Sequence, residues 1–344
     1  MNISKMAYKR RPRPQKHLII PWILLVLAAG SVAFPLRAGE TPLKKASLIP
    51  LWTPQAQFAG FYVALDKGFY IRHGVDLNIL KSGPGCSPIR LLEEGRADFA
   101  VVWLTTALLH RDAGKNLVNL AQLNQRSSLM LISKKAAGIR TLTDMKGKKV
   151  GLWEGDVAIP LRMLFARHRI KVREVRQSYT INLFLRGGID VTSAMWFNEY
   201  HTIINAGLDP EELNTFFLSD QDMNFLEDGI YTLENTLRQD PALAEAFVAA
   251  SLEGWRYAFE HPDEALDIVI KYMREARLPA NRMHQQWMLG RMRDLMMPTA
   301  PEAALGQLRA QDYEAVARTL QKDGLIRSYP DFAAFSWRPD AGKE

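Results

Sequence analysis

The sequence is poor in cysteine, with only one, Cys86, among 344 residues. A single thiol excludes an intrachain disulfide and a cysteine-based zinc site. The seven histidines are scattered along the chain without the spacing of metal ligands, so no metal site is expected. No cysteine follows the N-terminal apolar stretch at the position that a lipid anchor would need.

Catalytic signatures are also missing from the sequence. It contains no Ser-His-Asp arrangement, no phosphate-binding Walker loop and no dinucleotide-binding fingerprint. There is no internal repeat or low-complexity segment either. We therefore predict no cofactor and no catalytic residue.

The chain has little net charge once its N-terminus is set apart. It carries 44 Lys and Arg against 37 Asp and Glu, and seven of the basic residues fall within 1–38, where no acidic residue occurs. The remainder is balanced, with 37 residues of each sign. Nucleic-acid binding normally needs a basic face, often with interleaved aromatic residues, and no such cluster follows residue 40. A nucleic-acid partner is therefore not expected.

Residues 1–38 have the pattern of an export signal. A basic segment precedes an apolar stretch at 18–34, and Ala38 and Gly39 are small enough for a cleavage point. Leu36 is large for its position in such a site, which leaves cleavage near Ala33 or an uncleaved membrane anchor as alternatives. We expect the mature protein in the periplasm of a diderm bacterium.

Strand and helix signals alternate from residue 46 to about 207, which is the rhythm of a doubly wound α/β fold. A polar, glycine-containing break at 134–143 interrupts this rhythm, and helical periodicity takes over from residue 235. The length beyond the signal exceeds one typical core and indicates two domains. The predicted organisation is a signal at 1–38, a discontinuous first lobe at 39–134 and 231–335, a second lobe at 135–230, and a frayed tail at 336–344.

Four tryptophans stand where short apolar runs end: Trp52, Trp103, Trp153 and Trp196. Each run is typical of a buried strand in a parallel sheet. Since ligands of open α/β sheets bind outside the carboxyl ends of the strands, several of these indoles are expected at one rim. Such a rim would hold a planar ring by stacking, although each tryptophan could instead pack a loop onto the sheet.

Polar and aromatic residues near these tryptophans complete the predicted site. Gln57 is expected to bond the edge of the ring and Glu199 to accept hydrogen bonds from an exocyclic amine. The structural alternatives are helix caps and core aromatics, for instance at Thr105 and Phe58. The predicted ligand-binding set is Trp52, Gln57, Phe58, Tyr62, Trp103, Thr105, Thr106, Asn124, Trp153, Glu154, Trp196, Asn198, Glu199 and Asp228.

Three segments carry a family resemblance: LWTPQAQFAGFYVALDKGFYIRHGVDLNIL at 51–80, LLEEGRADFAV at 91–101 and LTDMKGKKVGL at 142–152. They resemble the thiamine-pyrimidine-synthase-like branch of periplasmic substrate-binding proteins, whose relatives bind sulfonates, taurine and nitrate for ABC importers. The resemblance implies a type II periplasmic binding protein, with two doubly wound α/β lobes, a two-stranded hinge and C-terminal helices packed on lobe 1. It also implies a monomer that hands a small-molecule ligand to an inner-membrane ABC permease.

One branch of this family is an enzyme that makes the thiamine pyrimidine, and it needs a lysine, a histidine and a cysteine-rich run. The matching positions here are Val102, Thr106 and the segment 222–229, which contains no cysteine. Because valine cannot form a Schiff base, the departure favours a binding protein over a synthase. A partner of a membrane sensor kinase is a further alternative.

The ligand class that the sequence favours is a planar heterocycle. The resemblance indicates a thiamine-precursor pyrimidine, with riboflavin as another aromatic candidate. Nitrate and small sulfonates fit less well, because a small anion would leave the four tryptophans without a stacking partner.

Overall fold

The structure is a computed structural model that describes residues 42–298 and 304–339. The predicted export signal lies outside these residues. Within them, no helix combines the length and the apolar composition that crossing a membrane requires. The described chain folds around two five-stranded sheets, each of which forms the centre of one lobe.

The first sheet has the strand order β2-β1-β3-β10-β4. Strand β1 pairs in parallel with β2 and β3, whereas β10 runs antiparallel between β3 and β4. The late strand β10 thus returns to the middle of a sheet that the chain began long before. The strands are β1 (Lys44–Ile49), β2 (Val75–Ile79), β3 (Phe99–Val102), β4 (Leu117–Gln122) and β10 (Gly229–Leu233).

The second sheet repeats this arrangement with the order β7-β6-β8-β5-β9. Strand β6 pairs in parallel with β7 and β8, and β5 runs antiparallel to β8 and β9. Both sheets are therefore mixed. The sequence pattern predicted parallel strands and did not indicate the antiparallel strand in each sheet. The strands are β5 (Leu129–Lys134), β6 (Lys149–Leu152), β7 (Arg173–Arg176), β8 (Val191–Met195) and β9 (Leu213–Phe217).

The chain crosses between the two sheets twice, at 123–128 and at 218–228. The two crossings lie side by side: the Leu123 amide donates to the Asp228 carbonyl at 3.1 Å, and the Asn224 side chain accepts from the Ser127 amide at 2.8 Å. The predicted lobe boundary after residue 134 falls too late, because β5 belongs to the second sheet. The polar break at 134–143 follows β5 and does not mark the crossing.

Helices cover both sheets. Those of the first half are α1 (Ala59–Asp66), α2 (Phe69–Arg72), α3 (Pro88–Glu93) and α4 (Leu104–Asp112) in the first lobe, and α5 (Ile159–Arg167), α6 (Asn182–Leu185) and α7 (Glu199–Asn205) in the second. The C-terminal helices are α8 (Glu234–Gln239), α9 (Pro241–Glu260), α10 (Pro262–Glu275), α11 (Arg282–Met296), α12 (Ala310–Lys322) and α13 (Phe332–Phe335).

The C-terminal helices pack mainly on the first lobe, as predicted. Helix α9 lies against α1 so closely that a Cβ on Gly254 would come within 2.1 Å of the Gly60 carbonyl oxygen. A Cβ on Gly60 would in turn meet the Trp255 ring at 2.3 Å. Glycine at both positions therefore permits the approach that buries Trp255 completely.

The end of the chain is more firmly held than predicted. The Trp337 amide donates to the Asn119 carbonyl at 2.9 Å, and Ser336 forms a bridge to the same residue. These bonds tie the start of the supposedly frayed tail to the edge strand β4. Residues 340–344 lie outside the described part of the chain.

Candidate functional site

A cleft of about 330 Å³ opens between the two lobes. Its walls are the loops that follow β1, β2 and β3 in the first sheet and β6, β7 and β8 in the second. The cleft therefore lies outside the carboxyl ends of the strands of both sheets, where α/β folds bind ligands. Its volume is at the lower end of the range for small-molecule sites.

Aromatic rings from both lobes line this cleft. Trp52 and Trp103 follow β1 and β3, Trp153 follows β6, and Tyr179 and Phe197 follow β7 and β8. The Trp52 and Tyr179 rings meet across the cleft with centroids 4.6 Å apart and planes inclined by 49°. Flat apolar surface on both walls suits a planar ligand.

The second lobe contributes a carboxyl group that faces the cleft. Glu199 Oε2 accepts from the Met195 amide and Oε1 from Asn198 Nδ2, both at 2.9 Å. Burial raises the pKa of Glu199 to about 7, and these hydrogen bonds act in the opposite direction. Each oxygen keeps a further acceptor position that a ligand amine can use.

The first lobe contributes a pair of amides. Gln55 Nε2 donates to Gln57 Oε1 at 2.6 Å, and Gln57 Nε2 donates to Asp228 Oδ2 at 2.8 Å. Both glutamines line the cleft, whereas Asp228 lies behind them and is buried. Burial raises the pKa of Asp228 to about 6. Asp228, predicted as a ligand contact, instead orients a residue that lines the cleft.

Arg176 is the cationic residue among those that line the cleft, and its charge is paired. Arg176 Nη2 lies 2.8 Å from Glu154 Oε2, and both side chains are mostly exposed. The cleft surface is thus short of free positive charge. Glu154 lines the cleft as a rim residue engaged in this ion pair.

Asn124 lies in the first crossing and faces the hinge. Its side chain is buried, and Nδ2 lies 3.5 Å from Glu227 Oε2. Glu227 also accepts from Ser127 Oγ at 2.5 Å and from the Ser128 amide at 2.9 Å, which joins the two crossings. Burial and the neighbouring Asp228 raise the pKa of Glu227 to about 7. The prediction of Asn124 as a cleft residue is therefore corrected.

Phe58, Tyr62 and the two threonines are not brought to the cleft either. Phe58 is buried in the core, and Tyr62 stacks on Tyr272 with ring centroids 4.7 Å apart. Thr105 is fully buried in α4, and Thr106 lies beside it in the same helix without lining the cleft. These positions follow the structural alternative, namely helix and core packing.

Trp196 points away from the cleft. Its ring meets Phe217 edge-on at 5.9 Å and lies under the Arg291 guanidinium, whose carbon is 4.7 Å from the ring centroid. Met195 and Phe197, its neighbours in sequence, both line the cleft. Trp196, Phe197 and Asn198 form a turn after β8, closed by the Asn198 amide donating to the Met195 carbonyl at 3.1 Å, and in this turn the tryptophan takes the side away from the cleft.

Half of the predicted set lines the cleft: Trp52, Gln57, Trp103, Trp153, Glu154, Asn198 and Glu199. Sequence reasoning missed Tyr179 and Gln177, because the preceding strand β7 is a polar, exposed edge strand without an apolar run. It also left out Cys86, which lies in the glycine-containing turn after β2.

The lining residues offer stacking surface and hydrogen-bonding groups, but no lysine or histidine. Among the described residues, no group of three His, Cys, Asp or Glu side chains could hold a metal ion. The site can therefore bind a ligand by stacking on its ring and by hydrogen bonds to its polar groups. A covalent amine nucleophile is not among the groups that face it.

The chain matches the protein family described as NMT1/THI5 like over residues 55–265. It is 27 % identical over 266 residues to a riboflavin-binding protein of Chloroflexus aurantiacus, with 73 % of each chain covered. It is 21 % identical over 310 residues to a formylaminopyrimidine-binding protein of Halalkalibacterium halodurans, covering 87 % of this chain and 91 % of that one.

The fold is similar to that of the periplasmic aliphatic sulphonate binding protein SsuA from Escherichia coli. The TM-score is 0.67 at 15 % identity, and the match covers 87 % of this chain and 93 % of that one. At this identity the likeness shows the fold alone. The predicted fold class, an α/β protein of the type II periplasmic binding kind, is confirmed, and the chain belongs to the NMT1/THI5-like family.

Proposed function

We propose that this protein is the solute-binding component of an ABC importer and that its cleft captures a small planar amino-heterocycle, of which a thiamine-precursor pyrimidine is the leading candidate. One observation carries the proposal. Trp52, Trp103 and Trp153 line a cleft whose edge presents the Glu199 carboxyl with two acceptor positions free. The indole rings stack on the ligand ring, and the carboxyl accepts hydrogen bonds from the ligand amine.

The size and charge of the cleft support a single-ring ligand of low charge. A volume of about 330 Å³ is small for a three-ring flavin with its side chain, although the riboflavin-binding relative keeps riboflavin as the second candidate. A sulfonate or a phosphate would need a cation, and Arg176 is already paired with Glu154. The formylaminopyrimidine-binding relative agrees with the smaller ligand.

The proposed mechanism is closure of the lobes around the ligand. Glu199 and Trp153 belong to one lobe and Gln57 and Trp103 to the other, so a ligand that touches all four stabilises the closed form. The crossings at 123–128 and 218–228 provide the hinge. The closed form would then be presented to an inner-membrane permease in the periplasm, to which the export signal directs the chain.

The alternative of a pyrimidine synthase is less well supported. Val102, at the position of the family's lysine, is buried in β3. No lysine lines the cleft in the described part of the chain. We therefore place the protein with the binding branch of the family.

Calorimetry of the purified protein with three probes tests the proposal. We expect formylaminopyrimidine to bind at micromolar concentration or below, riboflavin to bind more weakly, and an alkanesulfonate not to bind. Tight binding of the sulfonate with no response to either heterocycle would overturn the proposal. Tighter binding of riboflavin than of the pyrimidine would move the assignment to the flavin candidate.

Cys86 supplies a second readout, because the only thiol of the chain lines the cleft. A bound heterocycle is expected to slow its alkylation by N-ethylmaleimide. The alkanesulfonate is the matched control and should leave the rate unchanged.

A further inference from the structure

Helix α11 contacts both walls of the cleft and the hinge. Toward the first lobe, Gln285 Oε1 accepts from the Ala56 amide at 2.7 Å, and Met288 Sδ accepts from the Gln57 amide at 3.2 Å. Near its end, the Leu295 carbonyl accepts from the Gln125 amide in the first crossing at 2.9 Å. The helix is thereby anchored to the segment that carries Gln57.

A neighbouring face of the same helix meets the second lobe. His284 Nε2 lies 3.0 Å from Asn198 Oδ1, and His284 Nδ1 lies 3.0 Å from His201 Nδ1. Trp287 Nε1 donates to the Trp196 carbonyl at 3.2 Å, and its ring stacks on His201 at 4.7 Å with planes 3° apart. His284 and Trp287 are three residues apart and share this face.

The hydrogen-bond pattern fixes the direction of donation around Asn198. Asn198 Nδ2 donates to Glu199 Oε1, so its Oδ1 is the acceptor that His284 Nε2–H meets. Burial and the neighbouring His201 lower the pKa of His284 to about 4, which leaves the ring neutral. His201 Nδ1, which lies 3.0 Å from His284 Nδ1, also lies 3.2 Å from Asn205 Nδ2. A chain of hydrogen bonds therefore runs from α11 to the carboxyl that faces the cleft.

We propose that α11 is a strap that holds the two lobes in the closed form, and that His284 is a positioning residue that orients Asn198 and, through it, Glu199 toward the ligand. The effect on affinity rests on the proposed function. The strap itself is a property of the ligand-free protein, because every contact that forms it lies within the chain.

The experiment compares the full-length wild type with His284→Ala, His284→Gln and Arg293→Ala. Glutamine keeps an N–H donor for Asn198, and Arg293 is an exposed residue of the same helix. Cys86 lines the cleft and is partly exposed, so its alkylation by N-ethylmaleimide without ligand reports how accessible the cleft is. We expect His284→Ala to react about three- to tenfold faster, as for the loss of one hydrogen bond, and the other two variants to react like the wild type.

The second readout is the kinetics of formylaminopyrimidine binding. His284→Ala is expected to raise the association rate, because the strap also holds the cleft closed without a ligand, and to raise the dissociation rate by a larger factor, because Glu199 is then less well oriented toward the bound ligand. The positioning role would be overturned if Cys86 of His284→Ala were alkylated at the wild-type rate. It would also be overturned if His284→Ala and His284→Gln changed that rate equally. If His284→Ala does not fold, Trp287→Phe, which removes the donor to Trp196, tests the strap: faster alkylation is expected, and a wild-type rate would overturn the strap.

The two proposals fail separately. A pyrimidine that does not bind, together with faster alkylation of His284→Ala, overturns the proposed ligand and supports the strap. Normal pyrimidine affinity with unchanged alkylation overturns the strap and supports the ligand.

Discussion

At the scale of single residues, the two acidic side chains that line the cleft differ in the acceptor capacity that remains for a ligand. Glu199 is held by the Met195 amide and by Asn198, and keeps acceptor capacity toward the cleft. Glu154 lies at the rim in an exposed ion pair with Arg176. Glu199→Gln replaces one of its acceptor oxygens with an amide donor, which cannot satisfy both existing donors and the ligand.

We expect Glu199→Gln to weaken formylaminopyrimidine binding by about tenfold or more, the cost of an unmet hydrogen bond to a charged or buried group. Glu154→Gln is the matched control and should change the affinity by less than about twofold, as for an exposed ion pair. Calorimetry on both variants checks the difference. Equal losses of affinity in the two variants would contradict a specific hydrogen bond between Glu199 and the ligand.

The second prediction concerns Glu227, whose buried carboxyl joins the two crossings. Its pKa is raised from 4.5 to about 7, so the folded state binds its proton more tightly than the unfolded state does. The stability that this group contributes is present below pH 4.5 and is lost as the pH rises through about 7. Asp228 and Glu199 act in the same direction.

The free energy of unfolding of the wild type is therefore expected to fall between pH 5 and pH 8. In Glu227→Gln the fall should be smaller by about 2 kcal/mol, because one titrating group is gone. Asp220→Asn, an exposed change on the return crossing, is the control and should follow the wild type. Urea unfolding at each pH measures this, and identical slopes in all three proteins would contradict it.

Trp196 shows how far the position of a residue in the sequence predicts where its side chain lies. The end of the apolar run predicted that a large side chain stands at the rim, and at Trp52, Trp103 and Trp153 it does. At Trp196 the turn after β8 places Phe197, and not the tryptophan, in the wall of the cleft. The partner that makes the outer position favourable, Arg291, comes from α11, and no local pattern indicates that contact.

At the scale of elements, α11 allows a pH-dependent test. The groups that face His284 are His201 from α7, Glu199 beyond Asn198 and, on α11 itself, Arg291 beyond Trp287. The pKa of His284 is lowered from 6.5 to about 4, so its contribution to closure is complete above pH 6.5 and is lost as the pH falls toward 4.

Glu199 titrates in the opposite sense, and the comparison with His284→Gln at each pH removes its effect. We expect Cys86 of the wild type to be alkylated up to about tenfold faster, relative to His284→Gln, at about pH 5.5 than at about pH 7.5. The ratio also cancels any direct effect of pH on the alkylation reaction. A ratio that does not change with pH would show that His284 closes the cleft regardless of its charge.

The elements themselves were predictable where their apolar pattern was strong. Strands β1, β3, β6 and β8 are buried runs, and they were found together with the rim that they create. Strand β5 falls within the predicted bounds of the first lobe but belongs to the second sheet, because its antiparallel place between β8 and β9 depends on long-range pairing. Strand β7 has no buried face in its sequence, so no pattern predicted that the following loop with Tyr179 lines the cleft.

At the scale of the whole molecule, contacts between the lobes lie on two sides of the cleft. The strap of α11 lies on one side, and the Trp52–Tyr179 pair lies across the cleft, where Tyr179 is 57 % exposed. His110 Nε2 and Asp156 Oδ2 add a partly exposed contact at 3.5 Å. The family resemblance predicted two lobes with a cleft between them, but contacts of this kind depend on side chains far apart in sequence.

The aromatic pair forms between lobes, so it contributes only once they have closed. Tyr179→Ala is therefore expected to raise the dissociation rate of formylaminopyrimidine about three- to tenfold, the value of one aromatic pair, and not to slow association. Stopped-flow tryptophan fluorescence measures both rates, and Ile71→Ala, an exposed change in α2, is the control. A slower association with unchanged dissociation would instead make Tyr179 part of the entry path. Because the pair lies wholly within the chain, it also holds the lobes together without a ligand, so its loss should make association no slower.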